Sequence, residues 1–173
     1  MTEAAEIIKT GMSTELWGQR FYQEAAARTE SEDGKKVFQS LVDEEGRHLD
    51  ILRGEYAALT KSAEWVSLDE AVAMAESVDP IKLFPDAASA EQLIPGDSTD
   101  EQALLMAMDF ERRGYTLYAQ AAEDAQSDAE RVLWEHLAKA EDQHYAYLQE
   151  TYEYLVNNGV WYHDDLERPF FEG

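Results

Sequence analysis

Six residues of this chain have the types and spacing to hold metal ions: Glu15, Glu45, His48, Glu111, Glu141 and His144. Glu45-x-x-His48 and Glu141-x-x-His144 each put a carboxylate and an imidazole three positions apart. On a helix, such a pair projects from adjacent turns of one face, so one segment can offer a bridging oxygen and a terminal nitrogen to neighbouring metals. One Glu-x-x-His arises by accident in many helices. Here there are two, each 30 residues after a further glutamate, Glu15 or Glu111, on an apolar face. Gathering four carboxylates in a core is very costly unless positive charge offsets them. No Arg or Lys shares their stripes, whereas two divalent cations balance four carboxylates with both imidazoles neutral. Oxygen and imidazole ligands without thiolate suit iron or manganese, with zinc also open. The bland alternative is a metal-free core of mutually hydrogen-bonded Glu and His.

These residues need helices to converge, and the surrounding sequence supplies them. Apolar residues at steps of three and four run Phe38, Leu41, Glu45, His48, Leu52, Tyr56, Leu59, and again Trp134, Leu137, Glu141, His144, Leu148, Tyr152, Leu155. The stripes Ile8, Met12, Glu15, Tyr22, Ala26 and Leu104, Met108, Glu111, Tyr118, Ala122 have the same character. Two proline-free stretches rich in Ala, Glu, Gln, Leu and Arg favour helix. Each is split by a polar interruption, and Ser127 with Glu130 reads as a capping box. The expectation is four long helices, at 3–28, 32–59, 99–125 and 128–157, in an all-α bundle of two antiparallel pairs. A long crossover at 60–97 joins the pairs, with a short helix capped by Ser67 and Glu70. The tail 158–173, with Trp161, Tyr162, His163, Phe170 and Phe171, is expected to pack back or to meet another chain. The whole of 1–173 reads as a single domain.

The two pairs are copies of each other. Residues 12–59 laid on 108–155, an offset of 96 without a gap, match at 13 of 48 positions, where chance gives roughly three. The matches include Glu15 with Glu111, Gly18 with Gly114, Tyr22 with Tyr118, Glu45 with Glu141 and His48 with His144. Tyr22 and Tyr118, two helical turns beyond Glu15 and Glu111, either hydrogen-bond the ligand carboxylates, with the capacity to carry a radical, or simply fill the core. Gly18 and Gly114 serve close helix approach or leave space for an oxygen ligand, the packing reading being preferred. His136 and His163 match no motif and are expected at the surface.

Composition narrows the partners. With 14 basic against 37 acidic residues the net charge is −23, which repels phosphate backbones and anionic lipid heads and argues against nucleic acid and membrane surfaces. No cysteine is present, so disulfides, thiolate nucleophiles and cysteine-ligated clusters are excluded. The start, MTEAAEIIKT, has neither a basic segment nor an apolar core of a signal peptide, and the longest apolar run, Ala103 to Met108, is far short of a membrane span. A cytoplasmic protein is expected.

At Glu15-x-x-Gly18-x-x-Phe21-Tyr22, Glu111-x-x-Gly114-Tyr115-x-x-Tyr118, Glu45-x-x-His48 and Glu141-x-x-His144 the chain resembles the rubrerythrin branch of the ferritin-like di-iron carboxylate proteins. The resemblance implies a ferritin-like four-helix bundle with two non-haem Fe ions reacting with hydrogen peroxide or dioxygen. It implies Glu15 and Glu111 as terminal ligands, Glu45 and Glu141 as bridges, and His48 and His144 as nitrogen donors. It also favours a homodimer. Rubrerythrins proper carry a cysteine-ligated rubredoxin site; without cysteine, electrons are expected from a separate donor such as a rubredoxin-type protein. They also carry an extra glutamate one turn after the third-helix ligand, where this chain has Gly114, which leaves the six-ligand set nearly symmetric. Ferritin-type iron oxidation and storage, and dimanganese catalase-like activity, are the alternatives.

Overall fold

Caps and propensity set the helix ends. The computed structural model describes residues 3–79 and 93–161, with helices α1 Glu3–Arg28, α2 Glu32–Ser62, α3 Leu68–Met74, α4 Asp100–Asp124 and α5 Asp128–Asn158, and a 3₁₀ turn Ala75–Ser77 after α3. Among the described residues there is no strand. The four long helices follow the expected spans to within a few residues, the largest difference being three more residues at the end of α2. Ser31 caps α2, accepting from the Gly34 N–H, and both Ser67–Glu70 and Thr99–Gln102 form reciprocal capping boxes. At α5 the expected box is only half formed. Ser127 Oγ accepts the Glu130 N–H at 3.2 Å, but Glu130 Oε2 takes the N–H of Gln126 at 2.9 Å instead of that of Ser127.

α1 packs along α2 and α4 along α5, and α1 also meets α4. The apolar stripes merge into two clusters. Ile8, Met12, Leu52, Leu59, Trp134 and Leu137 fill one end of the bundle; Phe21, Phe38, Leu41, Leu104, Leu148 and Leu155 fill the other. Glu15, Glu45, His48, Glu111, Glu141 and His144 occupy the layer between them, each at most 3% exposed.

The crossover is anchored at both ends. α3 lies against α2 at Gly54, where a Cβ would come within 1.7 Å of the Ala71 carbonyl oxygen. Arg53 Nε donates to Val78 O at 2.8 Å. On its return, Glu24 accepts the N–H groups of Leu93 and Ile94, and Arg28 donates to the carbonyls of Ile94 and Pro95. Of the aromatic tail, Trp161 packs back: its ring meets Phe38 edge-on and its Nε1 donates to Asp100 Oδ2 at 2.9 Å. Tyr162, His163, Phe170 and Phe171 lie outside the described residues.

The crossover also buries a carboxylate, Glu55, whose Oε2 accepts the Val66 N–H at 3.2 Å. Burial pushes this carboxyl from 4.5 up to about 7, the Val66 bond opposing the shift and the charge of Glu70 adding to it. An acid whose pKa rises on folding loses stability as pH climbs from its unfolded value through its folded one. Glu55→Gln keeps the acceptor and removes the charge. It should raise stability by about 1–2 kcal/mol at pH 8, solvent screening part of the full shift. The gain should vanish near pH 5, as thermal melts at the two pH values would show.

Candidate metal centre

Each half of the repeat contributes a glutamate from its first helix and a Glu-x-x-His from its second, and the bundle brings the two sets face to face. His48 Nδ1 lies 3.3 Å from Glu15 Oε2 and 3.6 Å from Glu141 Oε1. Its counterpart His144 Nδ1 lies 3.2 Å from Glu111 Oε2 and 3.5 Å from Glu45 Oε1. The two imidazole rings stack with centroids 5.4 Å apart. Two four-residue groups result, Glu15, Glu45, His48, Glu141 and Glu45, Glu111, Glu141, His144, each with ligand atoms within 4.8 Å of one another. Glu45 and Glu141 belong to both.

The tyrosines cross between the halves: Tyr22 donates to Glu111 Oε1 and Tyr118 to Glu15 Oε1. Burial pushes both phenols well above their ordinary range, and the carboxylate charges, Glu111 first for Tyr22 and Glu15 first for Tyr118, push them further. They stay protonated and remain donors. The glycines make room for side chains, not for a neighbouring backbone. A Cβ at Gly114 would come within 2.6 Å of Glu141 Oε2, and one at Gly18 within 2.7 Å of the Phe110 ring and 2.9 Å of Glu45 Oε2. At Gly114 the preferred packing reading thus gives way to one of space for a carboxylate oxygen, while at Gly18 packing against Phe110 and space for Glu45 both apply. Gly114→Ala should displace Glu141 and weaken metal binding by about tenfold or more, as is typical when the support of a ligand is disturbed; competition against a chelator would measure it.

Charge in this layer is unbalanced. Among the described residues, no donor sits in hydrogen-bonding geometry with either oxygen of Glu45 or with Oε1 of Glu141. Burial, reinforced by the charges of Glu15 and Glu111, drives the carboxyls of Glu45 and Glu141 far above the usual range. Burial also opposes ionisation of Glu15 and Glu111, but His48 and His144 beside them, with the hydrogen bonds they receive, hold both below it. For His48 burial works against the charge, and the adjacent Glu15 outweighs it and raises the imidazole. Two inner carboxylates lacking donors, flanked by two that are stabilised as anions, form a donor set that fits two cations placed between them.

Two neighbours of the site were not visible in the stripes. His136, expected at the surface, is half-buried with its ring edge-on to His48 at a centroid distance of 6.5 Å. Burial, then the charges of His48 and Lys139, hold its pKa below the ordinary value. Glu44, paired with Arg47 and buried, falls within reach of His48 and His144 as a third possible ligand group. Both line a cavity of about 460 Å³ that opens against His48. Neither repeats: the positions 96 residues away are Ser40 and Ala140. Comparing the halves therefore passes over them, although a histidine five positions before Glu141 was a readable signal.

A four-helix bundle with this interior defines a carboxylate–histidine scaffold with residues that could hold metal ions. The chain belongs to the rubrerythrin family, whose model matches residues 6–152, and proteins of that family bind non-haem di-iron centres. The fold is also that of a hypothetical protein from Pyrococcus furiosus, 20% identical, with a TM-score of 0.62 over 90% of this chain and 92% of the other. No curated protein matches the chain. Among the described residues no helix is long and apolar enough to cross a membrane.

Proposed function

We propose that this protein is a non-haem di-iron oxidoreductase that reduces hydrogen peroxide or dioxygen with electrons from a separate donor. The observation that carries this reading is the pair of buried carboxylates, Glu45 and Glu141, shared by both ligand groups and lacking donors. Glu15 with His48 would hold one iron and Glu111 with His144 the other, Glu45 and Glu141 bridging. When bound, two Fe(II) ions supply two electrons and a Lewis-acidic seat for the oxidant. The chain does the rest. Tyr118 and Tyr22 fix the orientation of Glu15 and Glu111, while Glu45 and Glu141, which no tyrosine holds, would be free to adjust to the bound ions. The cavity at His48 admits a small oxidant from solvent, with His136 at its wall. The sequence includes no cysteine to build a second iron site, which supports a separate electron donor.

The test is elemental analysis after chelator washing and anaerobic Fe(II) reloading. About two irons per chain, oxidised on addition of peroxide, is the expected result; a protein that takes up none overturns the reading. Peroxide consumed without a reductant, with release of oxygen, would reassign the activity to a catalase-like one, and a hollow assembly on size-exclusion chromatography would reassign it to iron storage.

A further inference from the structure

Two arms of aromatic rings leave the metal-ligand layer, one for each half of the repeat. In the first, Tyr118, whose hydroxyl bonds Glu15, stacks on Trp134 at 5.8 Å and 13°, and Trp134 meets Trp65 edge-on at 6.4 Å and 80°. In the second, Tyr22, bonded to Glu111, stacks on Phe38 at 6.3 Å and 26°, and Phe38 meets Trp161 edge-on at 5.5 Å and 75°. Tyr22 and Tyr118, Phe38 and Trp134, and Trp65 and Trp161 are all separated by the same offset of 96. The arms are therefore duplicates with equivalent geometry, and only the middle ring differs. The difference matters chemically. Tyrosine and tryptophan lose one electron at potentials a strong biological oxidant reaches, and phenylalanine does not.

We infer that Tyr118, Trp134 and Trp65 form a one-electron relay between the metal centre and the protein surface, and that Phe38 interrupts the corresponding path in the other half. The inference deepens the proposed oxidoreductase function and rests on it for the oxidant, hydrogen peroxide. Tyr118 gives one electron to the centre, and its phenolic proton moves along the existing hydrogen bond to Glu15. Trp134 then gives one electron to the tyrosyl radical, and the proton returns to the phenol oxygen. Trp65 re-reduces Trp134, and an external one-electron donor re-reduces Trp65. Two such passes supply the two electrons that, with two protons from solvent, convert one hydrogen peroxide to two waters.

The surroundings suit these roles. Trp134 is fully buried and its indole N–H has no acceptor among the described residues, so its radical cation keeps its proton and passes electrons alone. Trp65 is half-buried, within reach of a partner in solution. Ring-to-ring steps this short favour successive hops over one long transfer across the bundle.

The absence of cysteine gives a clean test. Glu64→Cys, at an exposed position beside Trp65, can be labelled with a ruthenium photo-oxidant on the otherwise unchanged full chain. In the metal-free protein, a flash should produce a tyrosyl radical, seen by transient absorption and electron paramagnetic resonance, that Tyr118→Phe removes. Trp134→Phe, which copies the other arm and breaks no hydrogen bond, should slow its appearance by about tenfold or more, read as a rate ratio. Trp65→Phe should do the same, and its partly exposed position keeps the test decisive if the buried variant folds poorly. A tyrosyl yield and rate unchanged in both variants overturns the relay. In iron-loaded protein given peroxide without a reductant, mass spectrometry should find oxidation at Trp65 that falls in Trp134→Phe. Failure to bind iron would sink the proposed function and leave the photochemical result standing, which separates the two ideas.

Discussion

Replacing Glu45 and Glu141 together by glutamine should abolish stoichiometric metal binding and, in the same protein, make the metal-free fold more stable. The two effects have one cause. Both carboxyls are buried, three of their four oxygens lack a donor among the described residues, and burial with the charges of Glu15 and Glu111 pushes both far above their ordinary pKa. The metal-free fold therefore disfavours the ionised form of each carboxyl, a penalty that the unfolded chain does not bear. The ceiling on that penalty is about 3 kcal/mol per residue, given by the distance from the unfolded pKa to the working pH. Glutamine keeps the volume, so no cavity subtracts from the gain. Even half of the ceiling, summed over both residues, amounts to about 3 kcal/mol, or roughly 6–12 °C in the melting temperature of a chain this long. Calorimetry on chelator-washed protein would measure it, and metal analysis after reloading would measure the other half. A merely structural Glu–His core predicts the opposite sign, because its members would be supporting one another.

Metal removal should invert the pH dependence of stability. In the metal-free protein Glu45, Glu141 and His48 all have raised pKa values in the folded state. A folded state that binds more protons than the unfolded one loses stability as pH rises, from about 4.5 upward for the glutamates and from about 6.5 for the histidine. Glu15 and Glu111, held low, add stability only as pH climbs toward 4.5 and nothing beyond. The stripped protein should thus be most stable in mild acid and melt progressively earlier through neutrality. Loaded protein should run the other way, since metal displaces those protons and binds more tightly as pH rises. At a free metal concentration a thousand times its dissociation constant, one site adds about 4 kcal/mol, which corresponds to roughly 8–16 °C. Paired melts with and without chelator between pH 5 and pH 8 should therefore diverge; parallel curves would count against a metal centre.

The bundle and the six converging residues were legible because helical period carries both facts at once. A residue such as Glu45 or His48 that breaks an apolar stripe without leaving its face has only the interior to go to, and the repeat shows it happening twice. What the period cannot report is which connecting segment covers the flank of a stripe. Glu55 sits at the flank of the stripe, three residues after Leu52, and what holds it there is the Val66 N–H of a crossover with no periodic signal of its own. His136 and Glu44 escaped for a related reason: they belong to one half only, and comparing the halves selects what they share. The packing reading of the glycines holds in part: the obstruction at Gly114 is the carboxylate of Glu141, whereas at Gly18 it is the Phe110 ring of α4 together with the carboxylate of Glu45. That distinction requires knowing which side chain arrives opposite.

Each group of four ligands takes three residues from one helical hairpin and one from the other: Glu15, Glu45 and His48 with Glu141, and Glu111, Glu141 and His144 with Glu45. The two hairpins thus meet as the subunits of a two-fold dimer do, each offering the other the same self-complementary surface. Covalent linkage through the crossover makes that dimer a single chain and frees its halves to diverge. The cavity beside His48 and the tryptophan at position 134 are on that view places where the symmetry is broken. One imidazole of a formerly equal pair opens on a cavity, and one arm carries tryptophan where its counterpart carries phenylalanine.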